Sequence, residues 1–221
     1  MSVAITYDTL EDDELWSHVD PPSSRRLLVA ALDCFAQRGY HATTTRQIAT
    51  QAGMSPGAVY VHYASKAELL YRISVVGHTS ALEALESAAD AGIEDPMVRM
   101  RAIVHAFASW HARHHRLARV AQYELEALNP AHGREIRRLR ARFSQRIRDE
   151  LERGAAEGAF SLPDVEGASL AILSLCIDIA RWYGAANPRD PDDLGSLYAD
   201  IVARALRPER VRKARAAAPK R

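Results

Sequence analysis

Cysteine is scarce in this chain, and its scarcity limits the kind of protein that the sequence encodes. Among 221 residues, only Cys34 and Cys176 are cysteines, and they lie far apart in the sequence. A disulfide framework of the kind that holds small secreted domains together is therefore not expected, and a reducing cytoplasm is the predicted compartment. Both cysteines have apolar neighbours, so we expect small core residues rather than redox groups.

Long hydrophobic runs and strand patterns are also missing. No apolar run approaches the roughly 18 to 20 residues of a membrane span. The first residues lack the basic start and apolar centre of a secretory signal. Alternating or β-branched runs, which would predict strands, are few. Apolar residues recur at helical spacing instead, so the sequence predicts an all-α protein of about nine helices that does not enter a membrane.

The net charge of the chain is only +1, but the charge is unevenly distributed. Residues 1–20 form an arm with six acidic residues and no Lys or Arg, whereas residues 207–221 form a tail with seven Lys or Arg and one acid. Residues 21–81 contain six Lys or Arg and two acids. The charge of each segment is more informative than the total when nucleic acid is considered as a partner. Together with the helix pattern and the resemblance given below, it divides the chain into the arm, a first domain at 21–81, a larger helical domain at 82–206, and the tail.

Three helix-start signals follow one another in residues 43–70, TTTRQIATQAGMSPGAVYVHYASKAELL. Residues 44–47 and residues 65–68 each match the capping box, in which a Ser or Thr and a Gln or Glu three positions later satisfy each other's backbone N–H groups. Between them, Ser55-Pro56 predicts an N-cap followed by proline at the first helical position. Two short helices joined by a tight turn that contains glycine, here at 44–63, are a helix-turn-helix pattern.

This stretch resembles the DNA-binding segment of the TetR family of bacterial transcription repressors. The residues that carry the resemblance, within about 21–81, are Phe35, Gly39-Tyr40, Ala42-Thr43-Thr44, Ile48-Ala49, Ala52-Gly53, Ser55-x-Gly57, Tyr60-x-His62-Tyr63 and Ser65-Lys66-x-x-Leu69. The resemblance implies a three-helix DNA-binding domain followed by a helical domain for ligand binding and dimerisation. It also implies a homodimer that represses from a palindromic operator in double-stranded DNA and leaves it when a small-molecule effector binds.

The resemblance assigns DNA contacts by position. The predicted DNA-contacting residues are Thr44, Thr45, Arg46, Ser55, Pro56, Gly57, Tyr60, His62 and Lys66. The two threonines and the last three residues are expected to contact phosphate, and the lean segment 55–57 is expected to face bases or backbone. Arg46 has two open roles, a bidentate contact with guanine or a position in solvent or on phosphate. Val61 or Ala58 is a candidate for contact with a thymine methyl group.

Residues 165–186, VEGASLAILSLCIDIARWYGAA, predict a helix that is apolar nearly all round, so both of its faces are expected to be buried. One face is predicted to pack on the larger domain. The other is predicted to pack, together with the last helix, against a second subunit in a four-helix interface. Asp178 and Arg181 are three positions apart and can meet as a buried ion pair. That structural role and a role of Arg181 or Trp182 in a ligand cavity are both open.

The effector is predicted less directly. The segment 181–183, Arg-Trp-Tyr, before a proline-containing loop, is similar to the TetR subgroup that senses acyl-CoA thioesters, which implies an acyl-CoA effector. Seven arginines crowd one helix and either meet CoA phosphates or form a solvated face: Arg134, Arg137, Arg138, Arg140, Arg142, Arg146 and Arg148. The candidate ligand-binding residues are Phe107, Trp110, Tyr123, Phe143, Leu173, Ile177, Arg181 and Trp182.

Other classes of function fit the sequence less well. His111 and His115 are four positions apart and could chelate a metal together with Glu124 or Glu126, but spacing fixes no third ligand, so no metal or other cofactor is predicted. An enzyme would need an activated constellation such as Ser/His/Asp, and none stands at a recognisable spacing, so the chain is predicted not to be an enzyme. The alternative function is an architectural DNA-binding protein that uses the basic tail and binds with little sequence preference and strong salt dependence.

Overall fold

The computed structural model describes residues 14–207 except residues 185 and 188. Over these residues the fold is all-α, with nine α-helices and no β-strand, as the sequence predicts. The helices are α1 Pro22–Arg38, α2 Thr45–Gln51, α3 Ala58–His62, α4 Lys66–Ala89, α5 Pro96–Arg113, α6 His115–Tyr123, α7 Pro130–Ala156, α8 Val165–Trp182 and α9 Pro191–Leu206. None of the described helices has the length and apolar character that a membrane crossing needs. Most of the predicted acidic arm (residues 1–13) and of the basic tail (residues 208–221) lies outside the described residues.

Side-chain caps set where most of the helices begin. The Thr44 hydroxyl accepts the Gln47 N–H at 3.2 Å, and the Thr44 N–H donates to the Gln47 side chain at 2.8 Å, so the first predicted capping box is confirmed. At the start of α4, Ser65 accepts the Glu68 N–H at 3.1 Å. The Glu68 carboxylate pairs with Arg72 at 2.7 Å, so only half of the second box forms. Helices of the larger domain are capped by Asp95, Asn129, Asp164 and Asp190.

The third helix begins later than the sequence predicts. Ser55-Pro56 predicts a first helical turn at Pro56, whereas α3 begins at Ala58 and its N-cap residue Gly57 makes no side-chain bond. The Ser55 carbonyl accepts the Ala58 N–H at 2.9 Å, so residues 55–58 form a turn. The predicted Ser55 cap is therefore wrong. Serine followed by proline suits the first two positions of a β-turn as well as a helix start, and the local pattern does not separate the two.

Helices α1 to α3 and the start of α4 enclose a small apolar core. Its fully or almost fully buried side chains are Leu27, Phe35, Ile48, Val59 and Leu69. Tyr63 is also buried, and its hydroxyl donates to the Ser24 carbonyl at 3.1 Å. Helices of five and seven residues, as α3 and α2 are, do not persist alone in water. Burial of these side chains, at about 1.5 to 3 kcal/mol each, therefore holds α2 and α3 in place.

Helix α4 continues from the first domain into the larger domain and joins the two. There α5 is central, because it packs against α4, α7, α8 and α9. Gly195 of α9 permits the closest of these approaches, since a Cβ at this position would lie 2.7 Å from the His105 carbonyl oxygen of α5. On another side of α5, Arg99 forms a buried ion pair with Glu150 of α7 at 2.7 Å. Both contacts fix the helices that surround the interior of this domain.

Candidate functional site

Helix α3 presents one side to the core and the other to solvent. Val59 is fully buried, whereas Tyr60 is 61% exposed and Val61 is 79% exposed. The turn at residues 55–57 is exposed as well, and nothing lies within 4 Å of the place that a Cβ at Gly57 would take. A thin, accessible helix start followed by exposed side chains is suited to the major groove of DNA. The predicted base-facing residues Ser55, Pro56 and Gly57 thus share one accessible edge.

The start of α2 meets the outer side of α3 at a pair of hydroxyl groups. The Oγ1 of Thr45 and the hydroxyl oxygen of Tyr60 are 3.1 Å apart on the exposed surface. Thr44 lies beside them as the exposed N-cap of α2, and Arg46 is exposed on the first turn of that helix. Hydroxyl and guanidinium groups are frequent donors to phosphate oxygens. The fold therefore gathers four of the predicted DNA-contacting residues on one surface.

Two further residues of the predicted DNA surface are also engaged within the domain. The Lys66 Nζ donates to the carbonyls of Tyr40 and Thr43 at 2.7 Å each and lies 4.2 Å from the centre of the Tyr40 ring. Burial lowers the pKa of Lys66. The Nδ1 of His62 lies 3.1 Å from the Oγ of Ser24 at the start of α1. Lys66 thus uses two of its three ammonium protons, and His62 uses its Nδ1, within the domain. The third ammonium proton and the His62 Nε2 remain for the predicted phosphate contacts.

Helix α6 and the residue after it connect the larger domain to the DNA-binding surface. Arg116 of α6 forms an ion pair with Asp33 of α1, and Asp33 also accepts a bond from Gln51 of α2 at 3.1 Å. Glu124, directly after α6, accepts the Tyr40 N–H at 3.1 Å, in the turn that leads to α2. A displacement of α6 would therefore act on α1 and on the segment that positions α2.

A small cavity lies on the opposite side of α6, between α6 and helices α4, α5, α7 and α8. Its volume is about 40 Å³, which has room for about one water molecule, whereas ligand pockets are usually about 300 to 1,000 Å³. Ala118 and Ala121 of α6 form part of the wall. Four of the predicted ligand-binding residues line this cavity, namely Phe107, Trp110, Phe143 and Ile177. Half of the predicted set therefore lies around one cavity.

The other four predicted ligand-binding residues lie outside this lining. Leu173 is buried elsewhere in the core, and Tyr123 is 56% exposed at the end of α6. Trp182 is half-buried at the end of α8. Arg181 does pair with Asp178, at 2.7 Å, but both side chains are exposed. The prediction that this pair is buried is wrong for the single chain, because the outer side of α8 is uncovered there.

Two histidines that the sequence does not mark as ligand residues form part of the polar wall of the cavity. His78 and His111 each donate from Nδ1 to a carbonyl one turn back in their own helix, at 2.8 Å, so each Nε2 is left as an acceptor. Burial lowers the pKa of both side chains to about 4, so both are neutral at pH 7. The sequence pattern marks His111 only as a candidate metal ligand and does not mark His78, because a bond to a carbonyl of the same helix leaves no trace in sequence spacing.

Arg140 of α7 completes the polar wall. Its guanidinium donates to the side-chain oxygen of Gln122 of α6, and both residues line the cavity. Burial lowers the pKa of Arg140. This bond joins α6 to α7 beside the cavity. In it, the charged guanidinium of Arg140 is bonded to the neutral amide of Gln122.

Each of the two histidines considered for a metal, His111 and His115, bonds a backbone carbonyl of its neighbourhood through Nδ1. The Nδ1 of His111 bonds the Phe107 carbonyl, and the Nδ1 of His115 bonds the Ala112 carbonyl at 3.0 Å. Over the described part of the chain, no three His, Cys, Asp or Glu side chains come close enough together to hold a metal ion.

The outer faces of α8 and α9 carry exposed apolar side chains. The exposed fractions are 67% for Leu170, 42% for Leu175, 43% for Leu197 and 45% for Ile201. Apolar side chains grouped on neighbouring helices are typical of a surface that another molecule covers. They lie on the two helices for which the sequence predicts a subunit interface.

Two family models match the chain and together cover most of it. Residues 27–73 match the model described as bacterial regulatory proteins, tetR family. Residues 94–206 match the model described as the C-terminal domain of tetracyclin repressor-like proteins. The first match contains the helix-turn-helix, and the second contains most of the cavity and both helices of the exposed apolar faces.

Individual proteins resemble the chain over most of its length. The HTH-type transcriptional repressor KstR2 of Mycobacterium tuberculosis is 32% identical and aligns with 81% of this chain and 92% of its own. A tetR-family regulatory protein from Rhodococcus RHA1 has a solved structure with a TM-score of 0.78 and 41% identity, covering 83% of this chain and 96% of that one. The structure of AibR with isovaleryl coenzyme A and operator DNA shares the fold, with a TM-score of 0.73, 18% identity and coverage of 81% and 97%.

Proposed function

We infer, from the premise that the chain belongs to the TetR family of bacterial transcriptional regulators, that it is a repressor controlled by a small molecule. It binds a palindromic operator as a homodimer in the cytoplasm and leaves the operator when an effector occupies the cavity. One observation carries this function: α6 lines the cavity with Ala118 and Ala121 and holds α1 through Arg116 and Asp33. A single helix thus touches both the place of the signal and the domain that responds.

DNA binding is assigned to the surface of α2, α3 and the start of α4. In this proposal Thr44, Thr45, Tyr60, His62 and Lys66 bind phosphate and fix the register of the protein on the duplex. The turn at 55–57 approaches the bases, and exposed Val61 meets a thymine methyl group. Arg46 supplies the base-edge contact to guanine, since arginine pairs bidentately with this base.

Dimerisation is assigned to the outer faces of α8 and α9. Leu170 and Leu175 of one subunit meet Leu197 and Ile201 of the other in a four-helix contact, which removes exposed apolar area from water. Two copies are needed because two α3 helices about 34 to 36 Å apart reach successive major grooves of one operator. The Arg181–Asp178 pair borders the same face of α8 and is exposed in one chain.

Effector binding requires the larger domain to open. A cavity of about 40 Å³ does not hold an acyl group, so the ligand has to separate α6 from its neighbours. A state with displaced α6 differs from the present one at Arg116–Asp33 and Glu124–Tyr40. Because the ligand binds only the open state, it shifts the population toward a DNA-binding domain that is held differently.

We assign the effector to the acyl-CoA thioesters. The resemblance of the segment 181–183 supports this class, and AibR, with which the chain shares its fold, was solved with isovaleryl coenzyme A. The acyl group would occupy the apolar side of the cavity beside Phe107, Phe143 and Ile177. The CoA portion would extend toward solvent.

The test begins with operator selection from random duplex DNA by the full-length protein. The expected product is a palindrome with two half-sites, bound by a dimer whose mass native mass spectrometry reports. Fluorescence anisotropy with that operator is then measured with and without decanoyl-CoA, and release is expected. No enriched sequence, or binding by a monomer, would contradict the repressor function itself. Binding without release by any acyl-CoA would contradict only the effector class.

A further inference from the structure

Most arginines of α7 either pair with a carboxylate or are exposed to solvent. Four of them form ion pairs: Arg142 with Glu86, Arg146 with Asp90, Arg148 with Glu166 and Arg153 with Glu150. Three others are exposed to solvent: Arg134, Arg137 and Arg138. These contacts favour the solvated-face interpretation of the arginine-rich helix over a general CoA phosphate site.

Arg140 differs from the other arginines on this helix. It is half-buried at the edge of the cavity, and its hydrogen-bond partner is the neutral Gln122. Within the described residues, no carboxylate oxygen lies within 4.0 Å of its guanidinium. A guanidinium that loses part of its hydration pays a desolvation cost, and without an anion nearby no ion pair offsets that cost. The lowered pKa of Arg140 is consistent with this, since burial is its sole cause.

The remainder of the cavity wall supplies no second charge. His78 and His111 are neutral acceptors at pH 7, and the other lining side chains among the described residues are apolar or uncharged. An entering molecule would meet one positive group at the solvent edge and an apolar wall behind it, with Phe107 and Phe143 5.2 Å apart. This polarity fits a ligand with an anionic end and an apolar body.

We propose that the effector carries an anionic oxygen group that binds Arg140, and that this group replaces Gln122 as the partner of the guanidinium. Carboxylate and phosphate oxygens both match the planar fork of arginine and bind it more strongly than an amide oxygen does. Because Gln122 belongs to α6, its release unlatches α6 from α7 and permits the cavity to open. The inference rests on the proposed function, and it names the group that recognises the ligand and starts the change.

The anionic group has two possible sources, the carboxylate of a free organic acid and the phosphates of an acyl-CoA. Isothermal titration calorimetry on the full-length protein without DNA separates them, with decanoate, decanoyl-CoA and uncharged decanol as probes. We expect at least one anionic probe to bind, and to bind at least tenfold more tightly than decanol. In Arg140→Gln, its affinity should fall at least tenfold. The matched control Arg142→Gln, which removes a neighbouring arginine paired with Glu86, should bind as the wild type does.

The outcomes are distinguishable from failure of the repressor function. Arg140-dependent binding of decanoate identifies a carboxylate, and Arg140-dependent binding of decanoyl-CoA alone identifies phosphate. Equal affinity of wild type and Arg140→Gln, equal affinity for decanol, or no binding of either anionic probe would overturn the proposal. If Arg140→Gln unfolds, Arg140→Lys takes its place, because it keeps the charge and loses the fork, and an intermediate affinity is expected. Operator binding by the ligand-free protein is measured separately and does not depend on these results.

Discussion

The DNA-binding surface and the cavity differ in how their polar side chains are hydrogen-bonded. On the DNA-binding surface, Lys66 and His62 are braced by bonds within the domain, and Thr45 meets Tyr60 at 3.1 Å. Around the cavity, Arg140 has the amide of Gln122 as its hydrogen-bond partner, and the space beside it has a volume of only about 40 Å³. The first surface is thus assembled before DNA arrives, whereas the cavity has to be rebuilt before a ligand fits.

Under the proposed function, this difference places the conformational change in the larger domain. A preorganised surface loses little free energy to ordering when it binds. A cavity that must open makes ligand binding and helix displacement a single event, which an allosteric protein requires. Helix α6 is positioned to transmit that event, since Arg116 pairs with Asp33 of the DNA-binding domain.

The largest effect is expected on stability, in a comparison of two arginines. Arg99 is buried and paired with Glu150, whereas Arg140 at the cavity has no carboxylate partner among the described residues. Glu150→Gln leaves the Arg99 guanidinium buried without its counter-ion, and we expect the free energy of unfolding to fall by about 3 to 5 kcal/mol. Arg140→Gln removes a cation that has no acid, and a change within about 1 kcal/mol is expected. Urea denaturation of both variants measures the contrast. Equal losses would mean that Arg140 is a structural residue of the same kind as Arg99.

A pH dependence from the cavity histidines comes next. The pKa of His78 and of His111 falls from 6.5 to about 4 on folding, so the unfolded chain binds more protons between these values. Their contribution to stability is complete above pH 6.5 and is lost as the pH falls toward 4. At pH 5 the loss is on the order of 2 kcal/mol for each histidine. Urea midpoints at pH 7 and pH 5 should differ less in His111→Asn, whose amide can keep the bond to Phe107. An unchanged difference would contradict this origin.

A smaller effect is expected from the DNA-binding surface itself. The double variant Tyr60→Ala, Lys66→Ala loses an exposed phenol and the ammonium that braces the turn before α2. Operator affinity should fall about tenfold to a hundredfold, since each such polar contact contributes on the order of 1 kcal/mol. Anisotropy measures this loss, and calorimetry on the same sample should show unchanged ligand binding. Unaltered operator affinity would refute the assigned surface.

The smallest effect is expected from removal of the basic tail. Deletion of residues 207–221 takes away much of the clustered positive charge of the sequence, so affinity for random DNA and its salt dependence should decrease. The preference for the operator over random DNA should survive, because it resides on α2 and α3. Competition binding at two salt concentrations tests this. Loss of the preference would favour the architectural DNA-binding alternative.

Local signals predicted the helices of the first domain well because they act within a few residues. The box of Thr44 and Gln47 forms as expected, and Ser65 caps the start of α4. The start of α3 was missed because Ser55, Pro56 and Gly57 suit a turn and a helix start equally. Where α3 begins depends on how this helix packs against its neighbours, and a short sequence pattern carries no information about that packing.

The cavity was predicted only in its apolar part. Phe107 and Phe143 follow from helical spacing, since both point into the interior of the domain. Arg140 stands among many arginines of α7, and nothing in the sequence separates the one that lines a cavity from those that pair with acids. The Asp178–Arg181 pair is exposed rather than buried, because an apolar sequence on both sides of α8 does not say which side is covered within one chain.

The most direct test of the account fills the cavity without any ligand. Ala121 is buried on the cavity side of α6, and Ala121→Leu adds three carbon atoms to a space of about 40 Å³. We expect this variant to displace α6 and to weaken operator binding at least tenfold in anisotropy, while it remains a folded dimer. Ala180→Leu, at a buried alanine of α8 outside the cavity lining, is the control and should bind the operator normally. A folded Ala121→Leu dimer with wild-type operator affinity would contradict the coupling of cavity and DNA through α6.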